Sequence, residues 1–145
     1  MSWQTAVIAV QVLGFALACA AQSGSGNPAG PSQATPGEMF KLTAGGVAVV
    51  QGEDLQVGFD RVLADSRCPR GAQCITEGEA IIRVWLSKPP RGRAEHELQT
   101  TPPSAAEALY EGYRIRLVAL EPYPQVDRTI RASDYVATLL VTRPQ

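Results

Sequence analysis

Charge is missing from the first quarter of the chain: no Asp, Glu, Lys or Arg precedes Glu38 in a sequence of 145 residues. All 27 charged side chains therefore fall in the 108 residues from Glu38 onward, a quarter of that stretch and the share usual for a soluble domain. One such domain can bury a core of its own, with no room for a second full domain or a large enzyme barrel. The near balance of 13 basic and 14 acidic residues, net −1, excludes nucleic-acid binding by bulk charge. Amphipathic helical stretches between strands are also lacking, which leaves an α/β fold without support. Histidine occurs once, at His96, and cysteine three times, too few for a closed four-ligand zinc site at the usual spacing. No cofactor and no metal is expected.

The uncharged region has two parts. Residues Ala6 to Ala18 are apolar except for Gln11. As a helix this run would rise only about 20 Å, short of the roughly 30 Å of a bilayer core, so it reads as a cleaved export signal over residues 1–18. Its n-region has no Lys or Arg. Ala18-Cys19-Ala20 fits ordinary signal peptidase, which would release a soluble chain beginning at Ala21. Phe15-Ala16-Leu17-Ala18-Cys19 also resembles the lipobox of bacterial lipoproteins, with Ala16 where Leu is usual, and there Cys19 would carry the lipid. Three cysteines are an awkward number for an exported protein, and lipidation of Cys19 leaves an even pair. The expectation is an exported protein lipid-anchored to a membrane of the bacterial envelope, with a soluble secreted or periplasmic form as the alternative. Residues 19–37 follow as a disordered tether. Of the sixteen residues from Gln22 to Gly37, twelve are Gly, Ser, Pro or Ala, too little apolar surface to offset chain entropy.

From Glu38 the dominant signal is apolar alternation with period two, bounded by Gly and Pro. Strands are predicted around Phe40–Leu42, Val47–Val50, Leu55–Phe59, Ala80–Lys88, Glu95–Thr100, Tyr113–Leu117 and Tyr135–Val141. Ile82, Val84 and Leu86 mark one face of their strand, with Ile81, Arg83 and Trp85 on the other. Ser104 to Glu111 is predicted as a helical turn or two, with Ser104 and Glu107 spaced as a capping box. The fold class is all-β: a single-domain antiparallel sandwich or small barrel of about seven strands over residues 38–145, with one disulfide-closed loop.

That loop is the most distinctive local sequence, running from Asp65 to Ala80. In an exported protein Cys68 and Cys74 are expected to pair, because five intervening residues with Pro69 and Gly71 can turn the chain back. Their C-x5-C spacing departs from the C-x-x-C of thiol oxidoreductases, so the bridge reads as structural. The string Asp65-Ser66-Arg67-Cys68-Pro69-x-Gly71-x-x-Cys74-x-x-x-Gly78-x-Ala80 resembles one found in a family of uncharacterised bacterial exported proteins and lipoproteins. There it is followed by a strand like Tyr113–Leu117 and a turn like Glu121-Pro122-Tyr123-Pro124, and an aromatic stands where this chain has Thr76. The resemblance spans about residues 38–143. It implies envelope localisation and a β fold, and it carries no activity.

Motifs for catalysis are sparse. His96-Glu97-Leu98-Gln99-Thr100 lacks the second histidine of a zinc protease, and no G-x-S-x-G elbow accompanies His96, which reads as a surface histidine. Glu77 and Glu79, beside the disulfide, are the one carboxylate pair that a small hydrolase could use. Arg67, Arg70, Arg91 and Arg93 lie on two loops that would form a cationic patch for an acidic polysaccharide or lipid headgroup if they converged, with Trp85 and Tyr123 as stacking surfaces. The reading from sequence is a non-enzymatic envelope lipoprotein whose loops bind an unidentified protein or glycan. A secreted inhibitor or soluble binding module is the alternative.

Overall fold

Alternating apolar residues between Gly and Pro turns give nine strands among the described residues, which are 30–143 of the computed structural model. The strands are β1 (Ser32–Ala34), β2 (Met39–Thr43), β3 (Val47–Val50), β4 (Leu55–Asp65), β5 (Ala80–Ser87), β6 (Ala94–Gln99), β7 (Glu107–Tyr110), β8 (Tyr113–Glu121) and β9 (Val136–Thr142). They form a five-stranded sheet ordered β1-β3-β4-β5-β6 and a four-stranded sheet ordered β2-β9-β8-β7. Neighbours are antiparallel except β1 beside β3, which is parallel. The arrangement is a sandwich. The expected signal, Cys19 and residues 19–29 of the expected tether lie outside the described residues.

The core follows from the alternation. Ala80, Ile82, Val84 and Leu86 of β5 are fully buried, while Ile81, Arg83, Trp85 and Ser87 lie on the half-buried outer face. Leu55, Val57 and Phe59 of β4 join them from the same sheet. The facing sheet contributes Ile115, Leu117, Ala137, Leu139 and Val141. Each such Val, Leu, Ile or Phe side chain taken out of water stabilises the fold by roughly 1.5–3 kcal/mol.

All seven predicted strands are present, and two more join them. Ser32–Ala34, inside the segment expected to be disordered, is β1: it pairs with Ala48–Val50, and Ala34 is buried. The domain therefore begins before Glu38. A single small apolar residue is enough there because the strand borrows the ladder of β3. Ser104–Glu111 is the second correction. Only Pro103–Ala106 is helical, a 3-10 turn with no side-chain cap, and Glu107–Tyr110 extends as β7 along β8. Two consecutive prolines and strand pairing override the capping-box spacing. In β8 a register shift after Leu117 moves the inward row by one residue, so that Leu120 is buried and Val118 and Ala119 are exposed.

Gly58 of β4 is a close-approach position. It stands opposite Trp85, and a Cβ there would lie 2.0 Å from the indole. The ring lies across the outer face of the sheet in the space that glycine leaves, with the Arg93 guanidinium 4.3 Å above its centroid. We predict that Gly58→Val displaces the indole, shifts Trp85 fluorescence to the red and lowers stability by about 1–3 kcal/mol. Unchanged emission and an unchanged urea midpoint would refute this seat.

Candidate functional site

The β4–β5 hairpin outlasts its strands. Beyond the last paired residues, Asp65 and Ala80, the Ser66 N–H donates to the Glu79 carbonyl at 2.8 Å and the Cys68 N–H to the Glu77 carbonyl at 2.7 Å. Gly78 makes that approach possible: its φ is +67°, and a Cβ would stand 1.8 Å from the Ser66 carbonyl oxygen. The Cys68–Cys74 disulfide then closes the tip, with the two Cα atoms 5.9 Å apart. The closed tip docks on the segment after β8. The Arg70 N–H donates to the Pro124 carbonyl at 2.9 Å, and the Val126 N–H donates to the Arg70 carbonyl at 3.3 Å.

Arg67 is buried beneath this tip, not presented from it. Its Nε and one terminal nitrogen donate to the two Asp65 carboxylate oxygens at 2.8 and 2.7 Å. The guanidinium also donates to the Leu120 carbonyl at 2.7 Å and the Pro122 carbonyl at 3.1 Å. The Tyr135 hydroxyl donates to Asp65 at 3.0 Å. The pair thus ties the first sheet to β8 and to the residue preceding β9 of the second. Burial alone would push the Asp65 carboxyl up, but the Arg67 hydrogen bonds and charge, with the Tyr135 hydroxyl, outweigh it and hold the carboxyl below its ordinary value. Burial and the bond to Asp65 push the Tyr135 hydroxyl up.

Tyr123 covers the pair from outside. Its ring centroid is 4.9 Å from the Arg67 guanidinium carbon and 5.2 Å from that of Arg70. Beside it runs an open groove of about 710 Å³ whose lining includes Arg70, Leu120, Glu121, Tyr123, Arg128 and Asp134. Both acids of this groove are engaged, Glu121 by Lys41 at 3.0 Å and Asp134 by Arg131 at 2.9 Å. Among the described residues, eleven of the thirteen Lys and Arg side chains have a carboxylate oxygen within 4.0 Å. The two that do not are Arg70 and Arg128, and both line this groove.

The four arginines singled out from sequence do not converge. The loop with Arg67 and Arg70 precedes β5 and the loop with Arg91 and Arg93 follows it, so the two lie at opposite ends of an eight-residue strand, roughly 25 Å apart. Arg91 faces Glu111 at 3.6 Å, and Arg93 faces Glu95 at 3.7 Å while stacking on Trp85. Trp85 and Tyr123 accordingly share no surface. Arg128 escaped notice because nothing in its local sequence links it to the cysteine loop; the backbone bridge between Arg70 and Gln125 brings it there.

His96 is corrected as well. It is half-buried on the inward row of β6, its ring edge-on to Tyr110 at 6.3 Å, and its Nε2 is enclosed without a hydrogen-bond partner. Glu77 lines a smaller cavity of about 300 Å³ that Tyr123 also lines. Among the described residues, no three His, Cys, Asp or Glu side chains gather as a metal site. Compared with protein-family models, curated proteins and solved structures, the chain matches none.

Two predictions test this construction. Asp65 has a folded-state pKa below its unfolded value of about 3.9, so its contribution is fully present above that value and is lost as pH falls through the folded one. Asp65→Asn is expected to cost about 3 kcal/mol or more near neutrality, because it strips the buried Arg67 of its counter-charge. The gap to wild type should narrow below about pH 4 in urea unfolding. A gap of the same size at low pH, or none at pH 7, contradicts the assignment. For the disulfide, the double variant Cys68→Ser/Cys74→Ser should lose about 2 kcal/mol, the loop-closure entropy of so short a ring. Two free thiols on labelling the protein purified without reductant would refute the bridge.

Proposed function

We propose that this protein is a non-enzymatic binding module of the bacterial envelope, held to a membrane by lipid on Cys19, with the disulfide-loop end of the sandwich as its binding face. The observation that carries the reading is the groove beside Tyr123, where a rigid frame presents two arginines that, among the described residues, have no carboxylate oxygen within 4.0 Å. The frame is preorganised: the disulfide, the Asp65–Arg67 pair and the Arg70–Pro124 and Val126–Arg70 backbone bonds hold the surface before any partner arrives. Preorganised polar groups on a rigid scaffold suit recognition. Support for the anchor comes from the lipobox-like Phe15–Cys19 and from the cysteine count, since Cys68 and Cys74 are taken up by each other.

The anchor is tested on the mature amino terminus. Mass spectrometry of the protein extracted from membranes is expected to find a diacylated first residue at Cys19. A soluble chain beginning at unmodified Ala21 would replace the lipoprotein with a secreted module carrying the same face.

A further inference from the structure

We infer that the disulfide-loop end docks on a bilayer rich in anionic phospholipid, with Arg70 and Arg128 binding lipid phosphates and Ile75 entering the interfacial layer. The inference deepens the binding face described above and rests on that face, not on the anchor. Three observations meet at this end. Arg70 and Arg128 line one groove, and they are the two basic side chains among the described residues with no carboxylate within 4.0 Å. An anionic surface would complement them without breaking any ion pair.

Apolar side chains are exposed on the same loops. Ile75, directly after Cys74, is fully solvent-exposed; Val126 is 54% exposed and Tyr123 38%. Val126 sits over the cysteine loop, near enough that a Cβ on Gly71 would lie 3.1 Å from it. Large apolar residues at the tips of a rigid, disulfide-closed loop, beside unpaired arginines and an amphipathic tyrosine, have the composition of a membrane-interface contact. The other end differs: Arg91, Arg93, Lys88 and Arg143 all have carboxylate partners.

The path of the chain agrees with this orientation. Gly30 and Pro31 line a depression together with Lys41, and Lys41 bonds Glu121 in the arginine groove. Gly30, the first described residue, thus lies beside the docking face. Gly30 stands eleven positions after Cys19, a reach of at most about 40 Å.

The test uses the full chain exported with Cys19→Ser, so that no lipid tether contributes, and vesicles of phosphatidylglycerol with phosphatidylcholine or of phosphatidylcholine alone. Co-sedimentation is expected with the anionic vesicles and not with the neutral ones. Arg70→Gln with Arg128→Gln should weaken it about thirtyfold, and Ile75→Ser about tenfold. Arg93→Gln, at the opposite end, should leave it unchanged. Failure to bind anionic vesicles overturns the inference, as does equal binding by wild type and the double variant, or an equal loss with Arg93→Gln. Saturable binding of soluble glycerol phosphate without vesicle binding overturns it too, and assigns the groove to a free phosphate ester. None of these outcomes alters the mass of the mature amino terminus, so the anchor is judged separately.

Discussion

Asp65 and Arg67 place a charge pair in the seam between the two sheets, where neither charge could be left alone. Taking a guanidinium out of water costs several kcal/mol unless its N–H groups find acceptors, and Arg67 finds them in both Asp65 oxygens and in the Leu120 and Pro122 carbonyls. Those carbonyls belong to the end of β8 and the turn after it. The pair therefore determines where the 122–126 segment lies, and that segment in turn gives the cysteine loop its docking edge at Pro124 and Val126. The disulfide stiffens the tip. It is the buried pair that attaches the tip to the sandwich.

The opposite end uses the same device with a different result. Glu53, in the turn between β3 and β4, is nearly buried and holds the Tyr113 hydroxyl, Lys88 and Arg143. Each end thus has one carboxylate from the first sheet, a tyrosine hydroxyl from the second and cationic partners. At the Glu53 end both nearby cations contact the carboxylate. At the Asp65 end Arg67 alone neutralises the acid, so Arg70 is left to stack on Tyr123 and face the groove. The asymmetry of function proposed here follows from that difference in charge matching.

Strand identity was legible in the sequence because each strand carries its own alternation, and Ala80–Ser87 and Val136–Thr142 needed no partner to be read. Features created by pairing were not. Ser32–Ala34 has no pattern of its own and is a strand only because β3 offers an edge. The shift after Leu117 appears as a register irregularity between β8 and β9, two segments separated by a long loop. The motif residues Asp65, Arg67, Gly71, Cys68, Cys74 and Gly78 were visible as a distinctive string, yet a string does not tell a buried arginine from an exposed one. Arg67 and Arg70 are three residues apart; one is enclosed and the other exposed. Only the carbonyls of Leu120 and Pro122, more than fifty residues away, decide which is which.

A net charge of −1 would suggest a surface without electrostatic character. Pairing sharpens that view, because eleven cations are neutralised locally by neighbouring carboxylates and contribute little field beyond a Debye length of about 8 Å. What remains is concentrated where pairing is incomplete. Glu121 and Asp134 line the groove too, but Lys41 and Arg131 answer them from its margins, which leaves the positive character to Arg70 and Arg128. Asp134 is held below the ordinary carboxylate value, first by the Arg131 hydrogen bond and in smaller part by the charge of Arg128. It therefore stays ionised and paired through the neutral range, and the groove keeps its charge distribution there. A nearly neutral protein can in this way carry a local cationic site whose strength is set by which acids are already engaged, not by the sum over the chain.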